Sequence, residues 1–275
     1  MTNPATKIVI AAPTFYSMFQ AEICKQIKKW LKSEESSLRS MTDDADEQKK
    51  RLMFTLTQTK PSALITISIQ PDEETVAAYN DANIPIVLID EETDGVSTIT
   101  TNNFLGGRLA GEFLMSKGKN KIAIVSGRTQ VKGGYNAKQR LMGFQQALSA
   151  GGQSISPERT IEVDHYSRED GIEVMPKLLS IDLDAIFCAA GDNCALGLLT
   201  IAKQQGVRIP EDIAIVGFDD LLAARVSNPA LTTIKQPLEK MAESAYKMAV
   251  TQRDEILRKP QKTIFDPELI ERQSA

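Results

Sequence analysis

Histidine is almost missing from this chain: His165 is the only one among 275 residues. That excludes His–His metal motifs and leaves a single imidazole for any Ser-His-Asp or Cys-His arrangement. The neighbours Asp164-His165-Tyr166-Ser167 are adjacent at a strand end and cannot converge on a substrate, and no Gly-x-Ser-x-Gly elbow occurs. The expectation is a protein that is not an enzyme and needs neither metal nor cofactor. Cysteine is scarce too. Cys24, Cys188 and Cys194 are an odd, scattered set, which fits reduced buried thiols better than a disulfide framework or a zinc site. No run approaches the roughly 18 apolar residues of a membrane span. The opening residues lead straight into a strand-like Ile8-Val9-Ile10 without a secretory signal, so the expected compartment is the cytoplasm. An excess of basic residues is also lacking. A formal charge of −4 and a pI near 5.3 leave no basic stripe for duplex DNA, so any DNA contact has to come from elsewhere.

What is present is a rhythm. Short runs rich in Val and Ile recur at Lys7–Ala12, Ala63–Ser68, Pro85–Asp90, Lys121–Gly127, Asp184–Ala190 and Ile213–Asp219, spaced too far apart for hairpins. Continuous apolar strands of this kind are buried on both faces, as in parallel sheets. Between them lie helical patterns at Met18–Ser33, Asp43–Thr59, Asp72–Ala82, Asn103–Lys117, Asn136–Ala150, Arg168–Leu179 and Asp192–Gln205. Strand-helix alternation predicts right-handed βαβ units. About a dozen strands exceed what one doubly wound sheet holds comfortably, so the chain is expected to form two α/β lobes. Asp44 with Glu47 has the spacing of a capping box, Gly118 and Gly206 stand where helix C-terminal glycines belong, and the glycines read mostly as stops.

In open parallel sheets, ligands bind beyond the carboxyl ends of the strands. The segments to watch are therefore Pro13–Gln20, Asp90–Glu92, Gly127–Arg140, Gly191–Asp192 and Asp219–Asp220. The glycine-rich stretch after Ser126 fails as a phosphate loop, because Gly133 is followed by Gly134 and Tyr135, not by Lys and Ser or Thr. It reads as a strand-to-helix loop. Gly106-Gly107 reads as close backbone packing and not as an anion site. Asp219-Asp220 could be a metal or acid-base pair, a ligand acceptor or a cap; adjacent residues on an extended chain face opposite ways, so at most one addresses a given pocket. Tyr166 could stack on a sugar or base, or be an ordinary half-buried tyrosine with a satisfied hydroxyl.

Longer phrases now stand out. Gly106-Gly-Arg-Leu-Ala-Gly111, Lys121-Ile-Ala-Ile-Val-Ser-Gly127, Arg140-x-x-Gly-Phe-x-x-Ala-Leu148, Gly206-Val-Arg-Ile-Pro-Glu-Asp-Ile-Ala-Ile-Val-Gly-Phe-Asp-Asp220, Pro229-Ala-Leu-Thr-Thr-Ile-x-Gln-Pro237 and Glu268-Leu-Ile-x-Arg272-Gln-Ser274 follow one another in the order of the lactose-repressor (LacI/GalR) family. The chain resembles the effector core of that family over nearly its whole length. The resemblance implies a type I periplasmic-binding-protein-like fold: two Rossmann-like lobes with parallel sheets, three crossovers, and a small polar effector, a sugar or sugar phosphate, held in the cleft.

It places the crossovers near Thr100–Asn103, Lys235–Leu238 and Ile264–Pro267, with 6–101 plus 238–264 as one lobe and 102–237 plus 265–275 as the other. It also implies a homodimer, and operator DNA read by a helix-turn-helix head that this sequence does not contain. A transport-type sugar-binding protein with the same lobes and no DNA role is the alternative. Carried over position by position, the effector residues are Phe19, Gln20 and Asp90 in the first lobe, with Asn136, Arg140, Tyr166, Asp219 and Gln236 in the second. Gly191 departs from the family, which usually has Asn before Asp192, and Gly118-Lys119 replaces its common Gly-His.

Overall fold

The computed structural model describes residues 7–15, 17–31, 35–42, 44–131, 133–255 and 259–275. Along the chain run β1 (Lys7–Ala12), α1 (Met18–Leu31), β2 (Glu35–Ser40), α2 (Ala45–Phe54), β3 (Ala63–Ile67), α3 (Glu73–Asp81), β4 (Ile86–Ile89), β5 (Ser97–Thr101) and α4 (Asn103–Ser116). There follow β6 (Ile122–Gly127), α5 (Tyr135–Ala150), β7 (Thr160–Val163), α6 (Arg168–Leu179), β8 (Ala185–Cys188), α7 (Asp192–Gln204), β9 (Ala214–Asp219) and α8 (Leu222–Val226). The chain closes with β10 (Thr232–Lys235), α9 (Leu238–Asp254), β11 (Lys262–Phe265) and β12 (Glu268–Ile270). Two compact units result, one reaching to Thr101 and resuming over Pro237–Phe265, the other formed by Asn102–Gln236 and Asp266–Ala275. The chain passes from unit to unit three times.

In the N-terminal unit the sheet order is β11-β5-β4-β3-β1-β2, with every pairing parallel. β1, β3 and β4 are buried along almost their whole length, which explains their apolar runs, and β5 is buried too although its Ser97-Thr-Ile-Thr-Thr101 is mostly hydroxyl-bearing. β2 was not foreseen from the sequence. Its Glu-Ser-Ser-Leu-Arg-Ser carries one aliphatic residue and sits at the sheet edge, where a strand has one neighbour and little to bury. The helix expected over Asp43–Thr59 ends at Phe54 and loosens into a wider π-helical turn over Thr55–Thr59. Half of the expected capping box forms: Asp44 Oδ1 accepts the Glu47 N–H at 2.8 Å, but the Glu47 carboxylate accepts from Arg51 instead. Residue 6, Tyr16, Lys32, Ser33, Asp43 and Lys132, each part of an expected segment, lie outside the described residues.

The C-terminal unit repeats the plan as β12-β10-β9-β8-β6-β7, with β12 antiparallel to β10. Its central strands divide their side chains between two cores. Ile124, Phe187 and Val216 pack against α4 and α5, whereas Val125, Ile186 and Ile215 pack against α6 and α7. Each fully buried Phe or Ile contributes about 1.5–3 kcal/mol.

The glycines here are not mostly stops. Gly118 and Gly206 do end helices in the left-handed conformation, at φ +75° and +70°. A Cβ on Gly107 would lie 1.9 Å from the Arg140 carbonyl oxygen, and one on Gly143 would lie 1.9 Å from that of Phe104, so α4 and α5 meet backbone to backbone. α6 and α7 do the same through Gly171, whose Cβ would come within 2.0 Å of the Cys194 oxygen, and Gly197, within 2.1 Å of the Arg168 oxygen. Gly107 thus packs closely, as its sequence context suggested.

Candidate functional site

Both sheets run outward from their first strand, which places a switch in strand order between β1 and β3 in one unit and between β6 and β8 in the other. Ligands bind outside the carboxyl ends of the strands at such switches. Backbone strain gathers at the same edges. Of the seven non-glycine residues with positive φ among the described residues, five follow or end parallel strands: Ser68 (+53°), Asp90 (+66°), Tyr166 (+55°), Asp219 (+121°) and Asp220 (+61°). Such conformations cost about 1–3 kcal/mol each and persist where the surroundings enforce them.

In the N-terminal unit, Ser68 joins two of the expected residues. Gln20 Nε2 donates to Ser68 Oγ at 3.4 Å, and the Ser68 hydroxyl donates to Asp90 Oδ2 at 3.1 Å. The Gln20 amide oxygen is buried and has no partner among the described residues. Phe19 lies half-buried in the first turn of α1, outside that chain of hydrogen bonds. Ser68 was missed because it reads as the last residue of an apolar strand; its signal is that it is the first polar group beyond β3.

The C-terminal unit holds the denser cluster. Arg140 stacks on Phe218, with its guanidinium carbon 3.7 Å from the ring centroid. Its Nε donates to Asn103 Oδ1 at 2.7 Å and its Nη1 to the Ala189 carbonyl at 2.8 Å. Asn103 donates in turn to Asn136 Oδ1 at 2.9 Å. The structure therefore brings Asn136 and Arg140 together through Asn103, a residue that sequence reasoning took for an ordinary helix start. Arg140 is 7% exposed, and among the described residues no carboxylate pairs with it. A guanidinium so far out of water with neutral partners alone is an unfinished electrostatic arrangement.

Asp219 and Asp220 part company, as alternation along a strand requires. Asp219 Oδ1 accepts from Gln236 Nε2 at 2.7 Å, uniting two more expected residues. Asp220 is held by the guanidiniums of Arg225 and Arg272, a structural ion cluster that ties the end of the chain to β9. Asp192, at the start of α7, lies fully buried behind them. It accepts the Thr233 hydroxyl at 2.6 Å and the Leu221 N–H at 2.8 Å. Desolvation first, then the Asp219 charge, holds the Asp192 carboxyl well above the usual carboxylate range. A Cβ on Gly191 would lie 2.9 Å from Asp219 Oδ2, so the missing side chain leaves room for that carboxylate. Burial also pushes the Cys188 thiol up, with Cys194 beside it; all three cysteines are buried. The Tyr166 phenol rests on the end of β6, against Gly127.

Paired α/β units with strained, polar strand ends define the type I class of periplasmic-binding-protein-like ligand-binding domains. The family described as periplasmic binding protein-like domain matches residues 112–275. The HTH-type transcriptional repressor PurR of Klebsiella pneumoniae (strain 342) is 30% identical over 99% of this chain and 80% of its own length. PurR of Yersinia enterocolitica is 33% identical over 84% of this chain and 68% of its own. A periplasmic binding protein/LacI transcriptional regulator from Alkaliphilus metalliredigens, solved with D-xylulofuranose, superposes with a TM-score of 0.86 at 25% identity, over 98% of each chain. The chain belongs to the LacI/GalR family of transcriptional regulators, as an effector-binding core.

Proposed function

We propose that this chain is the sensing core of a cytoplasmic, non-enzymatic transcription regulator. It binds a small polar effector, a sugar or sugar phosphate, through Phe19, Gln20 and Asp90 of the N-terminal lobe (6–101 plus 238–264). Asn136, Arg140, Tyr166, Asp219 and Gln236 serve from the C-terminal lobe (102–237 plus 265–275). Occupancy sets the affinity of a helix-turn-helix head for operator DNA. The observation that carries this reading is Arg140: buried, stacked on Phe218 and paired with no carboxylate among the described residues, it is a fixed donor fork suited to vicinal hydroxyls or a phosphate. Asp219, oriented by Gln236, supplies the complementary acceptor. The regulator relatives and the sugar-bound structural neighbour support the same class. Among the described residues, no helix is long and apolar enough to cross a membrane.

Calorimetry with a panel of D-ribose, D-xylulose, ribose 5-phosphate, cellobiose and adenine tests it. At least one sugar is expected to bind, with Arg140→Ala and Asp219→Ala each losing about 100-fold, the value of a charged hydrogen bond left unmade. Unchanged binding in both variants would remove this site assignment.

A homodimer belongs to the same reading, because each unit exposes an apolar face. In the N-terminal unit, a hollow of about 350 Å³ beside the edge strand is lined by Phe15, Ala21, Cys24, Lys25, Lys28 and Leu38. In the C-terminal unit, Leu222 and Val226 on α8 are 70% and 73% exposed. Val226→Asp is expected to weaken the dimer in sedimentation experiments.

A further inference from the structure

Tyr166 precedes α6, whose start is clamped. The Ser167 hydroxyl accepts the Asp170 N–H at 3.0 Å, and the Asp170 carboxylate accepts from both the Ser167 N–H, at 2.7 Å, and its hydroxyl, at 2.8 Å. This capping box leaves Tyr166 in the left-handed conformation, at φ +55°, which a tyrosine rarely adopts. Its side chain ends on the last residue of β6. A Cβ built on Gly127 would lie 1.9 Å from the Tyr166 hydroxyl oxygen, 2.2 Å from Cζ and 2.4 Å from Cε1. The phenol therefore fills the volume that a side chain at position 127 would take.

The side of the sheet follows from alternation. Ala123 and Val125 face the core under α6 and α7, so position 127 points the same way, opposite to Ile122 and Ile124 under α4 and α5. Arg140 and Phe218 belong to the α4–α5 side. Tyr166 and Arg140 thus straddle the carboxyl edge of one sheet, each pinned to its own side.

We propose that Gly127 is a positioning residue for the effector: its missing side chain seats the Tyr166 phenol on the end of β6, and that seat fixes one wall of the strand-end face. The proposal rests on the sensing role given above, but its geometric half is tested without any effector. Neither Gly127 nor Tyr166 takes part in the glycine contacts between helices, so their coupling is separable from helix packing.

The test is a cycle of wild type, Gly127→Ala, Tyr166→Ala and the double variant. Each chain retaining tyrosine 166 is labelled with 3-fluorotyrosine, and the Tyr166 resonance is assigned among the five tyrosines by its loss in Tyr166→Ala. In Gly127→Ala that resonance is expected to move, and affinity for the sugar of the panel that wild type binds is expected to fall by about 10-fold. In the double variant the added methyl has free space, so binding should stay within about twofold of Tyr166→Ala alone. An unmoved Tyr166 resonance, or losses that multiply in the double variant, would overturn the proposal. If Gly127→Ala fails to fold, a folded double variant supports the seat and an unfolded one refutes it. If wild type binds no member of the panel, the sensing role fails, and the resonance alone decides whether Gly127 seats Tyr166.

Discussion

Fifteen of the sixteen glycines lie in the C-terminal unit, and the N-terminal unit has Gly95 alone. The two sheets share one strand order, so the difference lies in how helices are fastened to them. In the C-terminal unit, α4 meets α5 and α6 meets α7 through glycines whose Cβ would strike a facing carbonyl at 1.9 to 2.1 Å. Those pairs have no freedom to slide. In the N-terminal unit α1 lies against α9 with no glycine in either helix, and buried side chains such as Ile23, Ile27 and Met241 can shift rotamers as helices shear. Polar strand ends follow suit. Hydrogen bonds of 2.6 to 2.9 Å hold Arg140, Asn103, Asp192 and Asp219, whereas 3.1 and 3.4 Å join Asp90, Ser68 and Gln20. One unit is built as a frame, the other with give.

The largest effect should come from adding a methyl group to each. Gly143→Ala places its Cβ 1.9 Å from the Phe104 carbonyl oxygen, and the backbone of α4 has to retreat. Overpacking against backbone of this kind is expected to cost about 3 kcal/mol, read as a lower urea midpoint. Gly95→Ala meets nothing nearer than Val76 Cγ1 at 3.8 Å and suffers only from its φ of +80°, about 1 kcal/mol. Equal losses would mean that glycine fastening does not distinguish the units.

Much of the fold was legible in the sequence, but not this division. Unbroken Val and Ile runs marked buried parallel strands, and the polar residues just beyond them fall at the strand ends where the candidate site gathers, because a parallel sheet dictates both. β2 was not legible, since an edge strand buries too little to need an apolar pattern. Nor were the partners of the site residues: Asn103, Ser68 and Asp192 are distant in sequence from the groups they orient, and no local periodicity reports a contact across 22 to 41 positions. Glycines misled for a related reason. A stop and a close approach look alike in sequence and differ only in what lies opposite.

Removing the connecting residue in each unit should separate them again, with smaller losses. Asn103→Ala strips Arg140 Nε of its acceptor inside a buried cluster, and about 2 kcal/mol is expected, with a fall in effector affinity through the loosened guanidinium. Ser68→Ala breaks two long hydrogen bonds at a half-buried position and should cost about 0.5 kcal/mol. Chemical denaturation with calorimetry on the same samples checks both. A Ser68 variant as damaged as the Asn103 variant would show that the N-terminal face is no looser than its counterpart.

The smallest effect is one of pH slope, and its sign should reverse between the units. Asp192 has its carboxyl raised by burial and by the Asp219 charge, so its native state keeps a proton that the unfolded chain gives up near 3.8. Its contribution is full below that value and is lost as pH rises through the higher native pKa. Asp72 of the N-terminal unit is the reverse case. Its hydrogen bond from Thr75, opposed by partial desolvation and reinforced by Lys49, lowers it to about 2. Its contribution is present above 3.8 and is lost as pH falls toward 2. Against wild type, Asp192→Asn should therefore lose its disadvantage as pH rises, and Asp72→Asn should lose its own as pH falls. The Asp72 difference should be the weaker of the two, because water screens its half-exposed partners. Denaturation midpoints at intervals from pH 3 to 9 would read both slopes. Slopes of the same sign would mean that Asp192 is charged in the native state, with its two donors outweighing burial and the neighbouring carboxylate.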